Sequence, residues 1–258
     1  MNPKKWFRPF EEIASGHRLL ITGIWIVLII GYWIFSSLGT KHLFPTPSQV
    51  WDGFQSLYNE GLIVHIVSSL SLCLKAALFS LFISLLIVYL SPLPVLKPVA
   101  VFLSRLRYLP LTGITFYLSI LVTGARTMQV WVLVVFMSLY FITSLLAVLK
   151  DIPEDEIDHA RSLKCRRWEI LWEVVIKGRL DYVLDVLRQN LAIIWMMLVT
   201  VESILVAAGG LGVLIKNSDK FANHGRIVAL QIIILLIGLL LDWILHVMRK
   251  GLFRYSTY

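Results

Sequence analysis

The sequence predicts an all-α polytopic membrane protein of about six membrane-spanning helices. Three observations carry that expectation. The chain of 258 residues is 58% hydrophobic and only 16% charged, whereas ordinary soluble domains sit near 45–50% apolar and about 25% charged. Its mean hydropathy is +0.78. Its apolar residues also gather into runs close to the roughly 20 residues a helix needs to cross the hydrocarbon core. A soluble domain of this length has room for one sizeable core, but its exterior needs more charge than this chain carries. Lipid as solvent removes the conflict.

The runs are taken in order. Leu19–Leu38 has no charge and no small-residue cleavage site after it, so a retained first helix is expected rather than a cleaved signal. The loop from Gly39 to Val64 contains Phe44-Pro45-Thr46-Pro47-Ser48-Gln49-Val50-Trp51. There Pro47 followed by Ser48 predicts an extended approach and a helix N-cap. A short interfacial helix with Val50, Phe54 and Leu57 on one face follows. The second run, Ile66–Leu90, carries one charge, Lys75. The third, Val95–Val122, is the least regular. Leu109–Val122 is uncharged but short, and its extension takes in Lys97, Arg105 and Arg107 with Pro98 and Pro110. A kinked span, or one that begins as an amphipathic segment, is expected. Val130–Leu149 is uncharged. The fifth run, Leu184–Ala208, carries Glu202 deep in its apolar part, and the sixth, Ile227–Val247, carries Asp242 and His246 near its end. No internal repeat, low-complexity tract or linker divides residues 1–258, so one transmembrane domain is expected.

The stretch 151–183 is more than a connector. Asp151-Ile152-Pro153-Glu154-Asp155-Glu156 starts a helix, with Pro early and acids in the first turn near the positive end of the dipole. Ile157, Ala160 and Leu163 make a small apolar face. Trp168, Leu171, Trp172 and Val175 then recur at i, i+3, i+4 and i+7, the mark of a second amphipathic helix. Two short helices joined near Lys164–Arg167 form an elbow. Its basic residues, with Lys4, Lys5, Arg8 and Arg18 at one terminus and Arg249, Lys250 and Arg254 at the other, fall on one side of six spans. That side is expected to be cytoplasmic. The opposite loops hold fewer: Lys41, Arg126, Lys216, Lys220 and Arg226.

The net charge of +8 is accounted for by these loops, and nucleic-acid binding is not expected. Cys73 and Cys165 form no CxxC or Cys/His cluster, so neither a metal site nor a disulfide is indicated. Gly209, Gly210 and Gly212 follow no strand and precede no Lys-Ser/Thr, so they are not a nucleotide loop. They suit a tight or re-entrant turn. No nucleophile–base arrangement occurs, and no catalytic role is expected.

Three ionisable residues are candidates for a solute pathway. Glu202 is an ionisable group inside a span, which is costly and faces a bundle interior or a cavity. It reads either as a gating residue or as a structural carboxylate bonded to Ser203, Thr200 or a neighbouring helix. Lys75 can meet an anion, or it can snorkel or bond a carbonyl. Arg126, near the outer end of the third span, can meet an incoming anion. An ion- or proton-coupled transporter built on Glu202, Lys75 or Asp242, or a structural subunit of a larger membrane complex, stays open at this point.

Residues Asp158-His159-Ala160-Arg161-Ser162-Leu163-Lys164, with Trp168 in the helix that follows, resemble the EAA loop of ABC importer permeases. That family reads Glu-Ala-Ala, three residues, Gly, then a helix ending near Leu-Pro. Here Asp158-His159-Ala160 stands for Glu-Ala-Ala, Lys164 for the Gly, and Lys177 near the Pro. Lys takes a positive φ less cheaply than Gly. Either the turn is built differently or its docking partner differs. Phe44–Trp51, Glu202 with Gly209-Gly210-Leu211-Gly212-Val213-Leu214-Ile215, and Gly238–Asp242 are similar to the nitrate, sulfonate, taurine and bicarbonate branch, in the same order over residues 40–254. The resemblance implies a type I importer permease in a bacterial inner membrane. It implies two ATPase subunits, carrying ATP and Mg²⁺, docked on Asp158, His159, Ala160, Arg161, Ser162, Leu163, Lys164 and Trp168 of two permease copies. An external solute-binding protein delivers a small anion, and the chain itself holds no cofactor. The branch also includes carriers of aromatic vitamin precursors.

Overall fold

The computed structural model describes residues 15–37 and 44–252. Lys4, Lys5, Arg8, Lys41 and Arg254, used above for orientation, lie outside them, as does the side chain of Arg18. No strand occurs among the described residues. Five helices among them are long and apolar enough to cross a membrane: Leu19–Ser37, Leu62–Tyr89, Ala125–Lys150, Arg167–Ile204 and His224–Leu252.

The expected third span is an interrupted one. Val95–Val122 is not one helix but α4 (Lys97–Arg105), a 3₁₀ turn (Leu106–Tyr108) and α5 (Leu111–Leu121). Pro110 is the cause. It has no N–H for the ladder, and it holds Leu109 extended at φ −69°, ψ 135°. α5 is shorter than the hydrocarbon core requires. Both pieces pack along α6 (Ala125–Lys150).

α3 (Leu62–Tyr89) and α6 form the central pair, and α9 (Leu180–Ile204) lies against both. Leu72, Ala76, Leu133, Phe141 and Leu198 are fully buried. Lipid is as apolar as leucine, so packing and interhelical bonds must hold such a seam. Ser80 and Ser84 of α3 supply them, donating to the carbonyls of Val134 and Ser138, each at 3.2 Å.

α1 (Ser15–Ser37) stands apart: 0% of its spanning window is buried, and Trp25, Val27, Ile29 and Phe35 are exposed. The Trp33 indole donates to the Pro45 carbonyl at 3.2 Å, tying the end of α1 to the approach of α2 (Pro47–Asn59). The cap of α2 is Thr46, not Ser48. Pro47 fills the first helical position, where no N–H is needed. The Thr46 hydroxyl accepts from Gln49 N at 3.4 Å, and the Gln49 side chain accepts from Thr46 N at 3.0 Å. This closes a capping box. Val50 and Leu57 are buried as expected.

α2 lies on the start of α11 (His224–Leu252). Their backbones meet at two glycines: a Cβ on Gly53 would stand 2.9 Å from the Gly225 oxygen, and one on Gly225 2.5 Å from the Gln49 oxygen. The Arg226 guanidinium grips both carboxylate oxygens of Glu60 beside this crossing.

Candidate functional site

The elbow begins with α7 (Glu154–Ser162). Lys164 takes φ +59° after it, so the Gly-type turn is kept despite the Lys. Lys164 N donates to the Arg161 carbonyl at 2.9 Å and Cys165 N to Ala160 at 3.2 Å. These bonds form a Schellman motif and satisfy carbonyls the helix end leaves free. α8 (Arg167–Ile170), a π turn (Leu171–Ile176) and a 3₁₀ turn (Lys177–Arg179) lead without a break into α9. Arg179 ties the two arms together, its Nη2 donating to both oxygens of Glu156 at 2.8 and 2.9 Å.

The expected faces hold in part. Ala160 and Val175 are buried and Ile157 is half-buried, but Leu163 is 66% exposed. Asp158, His159, Arg161, Ser162 and Lys164 are exposed too. The elbow thus presents one contiguous surface of charges around an exposed leucine. Trp168 and Trp172, both largely exposed, line with Phe82, Leu86 and Tyr89 of α3 a groove of about 450 Å³.

At the other end of the bundle Glu202 is fully buried. α9 ends there in a 3₁₀ turn (Val206–Ala208), and Gly209 and Gly210, at φ +77° and +123°, reverse the chain into α10 (Leu211–Lys220). A glycine N-cap offers no side-chain acceptor, so the first N–H groups of α10 need partners from elsewhere. Glu202 and Ser69 provide them. Gly212 N donates to Glu202 Oε2 at 3.0 Å, and Leu211 N to Ser69 Oγ at 2.9 Å. Ser69 Oγ–H in turn donates to the Glu202 carboxylate, at 2.8 and 2.9 Å to its two oxygens. The carboxylate also faces the positive end of the α10 dipole. A Cβ on Gly210 or Gly212 would collide with the Glu202 side chain. The partners are thus on α3 and α10; Ser203 and Thr200 bond within their own helix instead.

Arg126 belongs to the same end. It donates to the Ser68 carbonyl at 2.6 Å and to Gln129 Oε1 at 3.0 Å, and Gln129 donates to the Leu205 carbonyl at 2.9 Å. Lys75 is not part of this cluster: it is exposed midway along α3. Asp242 is engaged by Arg188, which donates to both of its oxygens at 2.8 and 3.1 Å and lies 3.1 Å from His246 Nδ1. Arg249 pairs with Asp185 at 2.8 Å, again between α11 and α9. The sequence carries a signal for this ladder, since opposite charges sit at the facing ends of two successive apolar runs.

The described residues thus make a helical, polytopic membrane body with a folded, charged elbow between two spans. The chain belongs to the family of binding-protein-dependent transport system inner membrane components, which it matches over residues 77–254. It is a permease component of the ABC importer type. It is 26% identical to the taurine transport system permease protein TauC of Escherichia coli (strain K12), over 96% of this chain and 92% of that one. It is 31% identical to a Methanocaldococcus jannaschii protein named as an ABC transporter permease, over 43% of this chain and 42% of that one.

Proposed function

We propose that this chain forms the translocation pathway of an importer for a small anion of the sulfonate, nitrate or bicarbonate kind, and that a separate ATPase drives it through the 151–183 elbow. The observation that carries this reading is the elbow's exposed surface, Asp158, His159, Arg161, Ser162, Leu163 and Lys164, on α7 and the turn that joins it to the unbroken helical stretch from Arg167 into α9. Ala160 sets its shape from inside the turn, and Trp168, itself exposed, lines the groove between its base and α3. A force on the elbow is delivered to α9, and through the Arg188–Asp242 and Arg249–Asp185 pairs to α11. ATP and Mg²⁺ reside on the partner ATPase.

The solute class is supported by full-length similarity to a permease named for taurine. The excess of Lys and Arg in and around the elbow orients it toward the cytoplasm, with both termini, in a bacterial inner membrane. A solute-binding protein meets the α2 end. The bare apolar surface of α1 supports assembly with a second copy. Glu202 serves as a fixed cap at the α9–α10 turn, and Arg126 braces the same turn.

Purification in mild detergent together with the ATPase encoded beside it tests the reading. A stable complex is expected, and Leu163→Asp, which buries an acid in the docking surface, is expected to release the ATPase while leaving the permease in the membrane. An ATPase that stays bound and active in transport with Leu163→Asp would remove the elbow from this role.

A further inference from the structure

We propose that Lys75 binds the oxyanion group of the solute midway across the membrane; this rests on the reading above that the cargo is a small anion. Lys75 lies close to the middle of the 28-residue α3, roughly 20 Å of helix from either end. It is exposed, and it has no hydrogen bond or ion pair among the described residues. Its four-carbon stem is far shorter than the roughly 15 Å from the middle of the hydrocarbon core to its edge. Snorkelling therefore does not rescue it. A bare ammonium at that depth is tolerated only where its surface meets water or a polar partner.

The stripe of α3 around Lys75 has the matching pattern. Ser71 and Ser68, at i−4 and i−7, are half-buried on the same side. The Arg126 guanidinium stands at their head, bonded to the Ser68 carbonyl at 2.6 Å. Val67 and Leu74 are exposed beside the serines, and past Lys75 no polar side chain continues the stripe, where Leu78, Phe79 and Phe82 are exposed. A polar track thus descends from the α2 end and stops at Lys75. An anion entering it meets a guanidinium held in place by Ser68 and Gln129, then about 10 Å deeper an ammonium with free donors. Three rotatable N–H groups on a compact charge suit a rounded oxyanion such as a sulfonate. Lys75 lies two residues ahead of the stretch that matches the family.

The test uses the complete transporter in membranes, with Cys73→Ala and Cys165→Ser removing the native thiols. The thiol of Lys75→Cys is expected to react with a charged, membrane-impermeant methanethiosulfonate and to be slowed by millimolar taurine, while Phe79→Cys stays unreactive. In uptake of labelled taurine, Lys75→Gln is expected to lose at least tenfold and Lys75→Arg to keep most of the rate. An unreactive Lys75→Cys thiol, or Lys75→Gln importing at the unsubstituted rate, overturns the proposal and leaves the importer reading standing. An unsubstituted transporter that carries none of taurine, nitrate and bicarbonate overturns the anion reading and this proposal with it.

Discussion

Lys164 holds the end of α7 at φ +59°, a conformation that costs an L-residue with a Cβ roughly 1–2 kcal/mol. Its neighbours impose it: the bonds Lys164 N to Arg161 and Cys165 N to Ala160 form only when this residue is left-handed. Lys164→Gly is therefore expected to stabilise the elbow by about 1 kcal/mol, read as slower hydrogen exchange across residues 154–165. Unchanged or faster exchange would show that the turn is not strained. The residue type argued against a Gly-type turn here, and the structure forms one anyway, because a single residue's preference is smaller than two backbone bonds. Lys75 and Glu202 were both legible as charges in apolar runs. What each touches was not, since Ser69 lies 133 residues before Glu202 and the sequence could name Ser203 and Thr200 but only an unspecified residue of a neighbouring helix.

The turn between α9 and α10 shows how elements depend on one another. Gly209 and Gly210 allow the reversal but leave the first donors of α10 bare, and the acceptors come from α9 and α3. Glu202→Ala strands Gly212 N–H and the Ser69 hydroxyl in a dry interior, at about 2–3 kcal/mol. The expected result is a drop of roughly 5–10 °C in the melting temperature of the detergent-purified protein. Glu202→Gln, which keeps one acceptor oxygen, is expected to fall less. Equal melting temperatures for Glu202→Ala and the unsubstituted chain would mean that the carboxylate does not hold this junction. The glycines were readable as a tight turn, but the cap was not, because it is tertiary. In the elbow the two amphipathic helices were readable from their periods. The π turn at Leu171–Ile176 was not, since one wider turn barely shifts a short apolar pattern.

Across the whole molecule, composition and long runs gave the helical membrane body, and Lys and Arg gave a sidedness. The least regular run, Val95–Val122, is broken at Pro110, which divides what length alone would join. α1 is the other feature invisible in the pattern: its sequence is that of an ordinary span, and only the three-dimensional arrangement shows how much of its surface, from Trp25 to Phe35, is left exposed. Assembly of two copies, as proposed above, would give that surface a neighbour. A benzophenone photo-crosslinker placed at Val27 is expected to yield a product of twice the chain mass, whereas adducts to lipid alone would leave the second copy unsupported. The glycine crossing of α2 and α11 has a consequence of its own. With Gly53 against Gly225 and Glu60 held by Arg226, the surface helix cannot stay behind when α11 tilts. Asp242 and Arg249 fasten the far half of α11 to the helix that grows out of the elbow. Linked equilibria are reciprocal: if engaging the elbow loosens whatever rests on α2, then resting something on α2 must alter the hold on the elbow by the same factor, so each face of the membrane can sense the occupancy of the other.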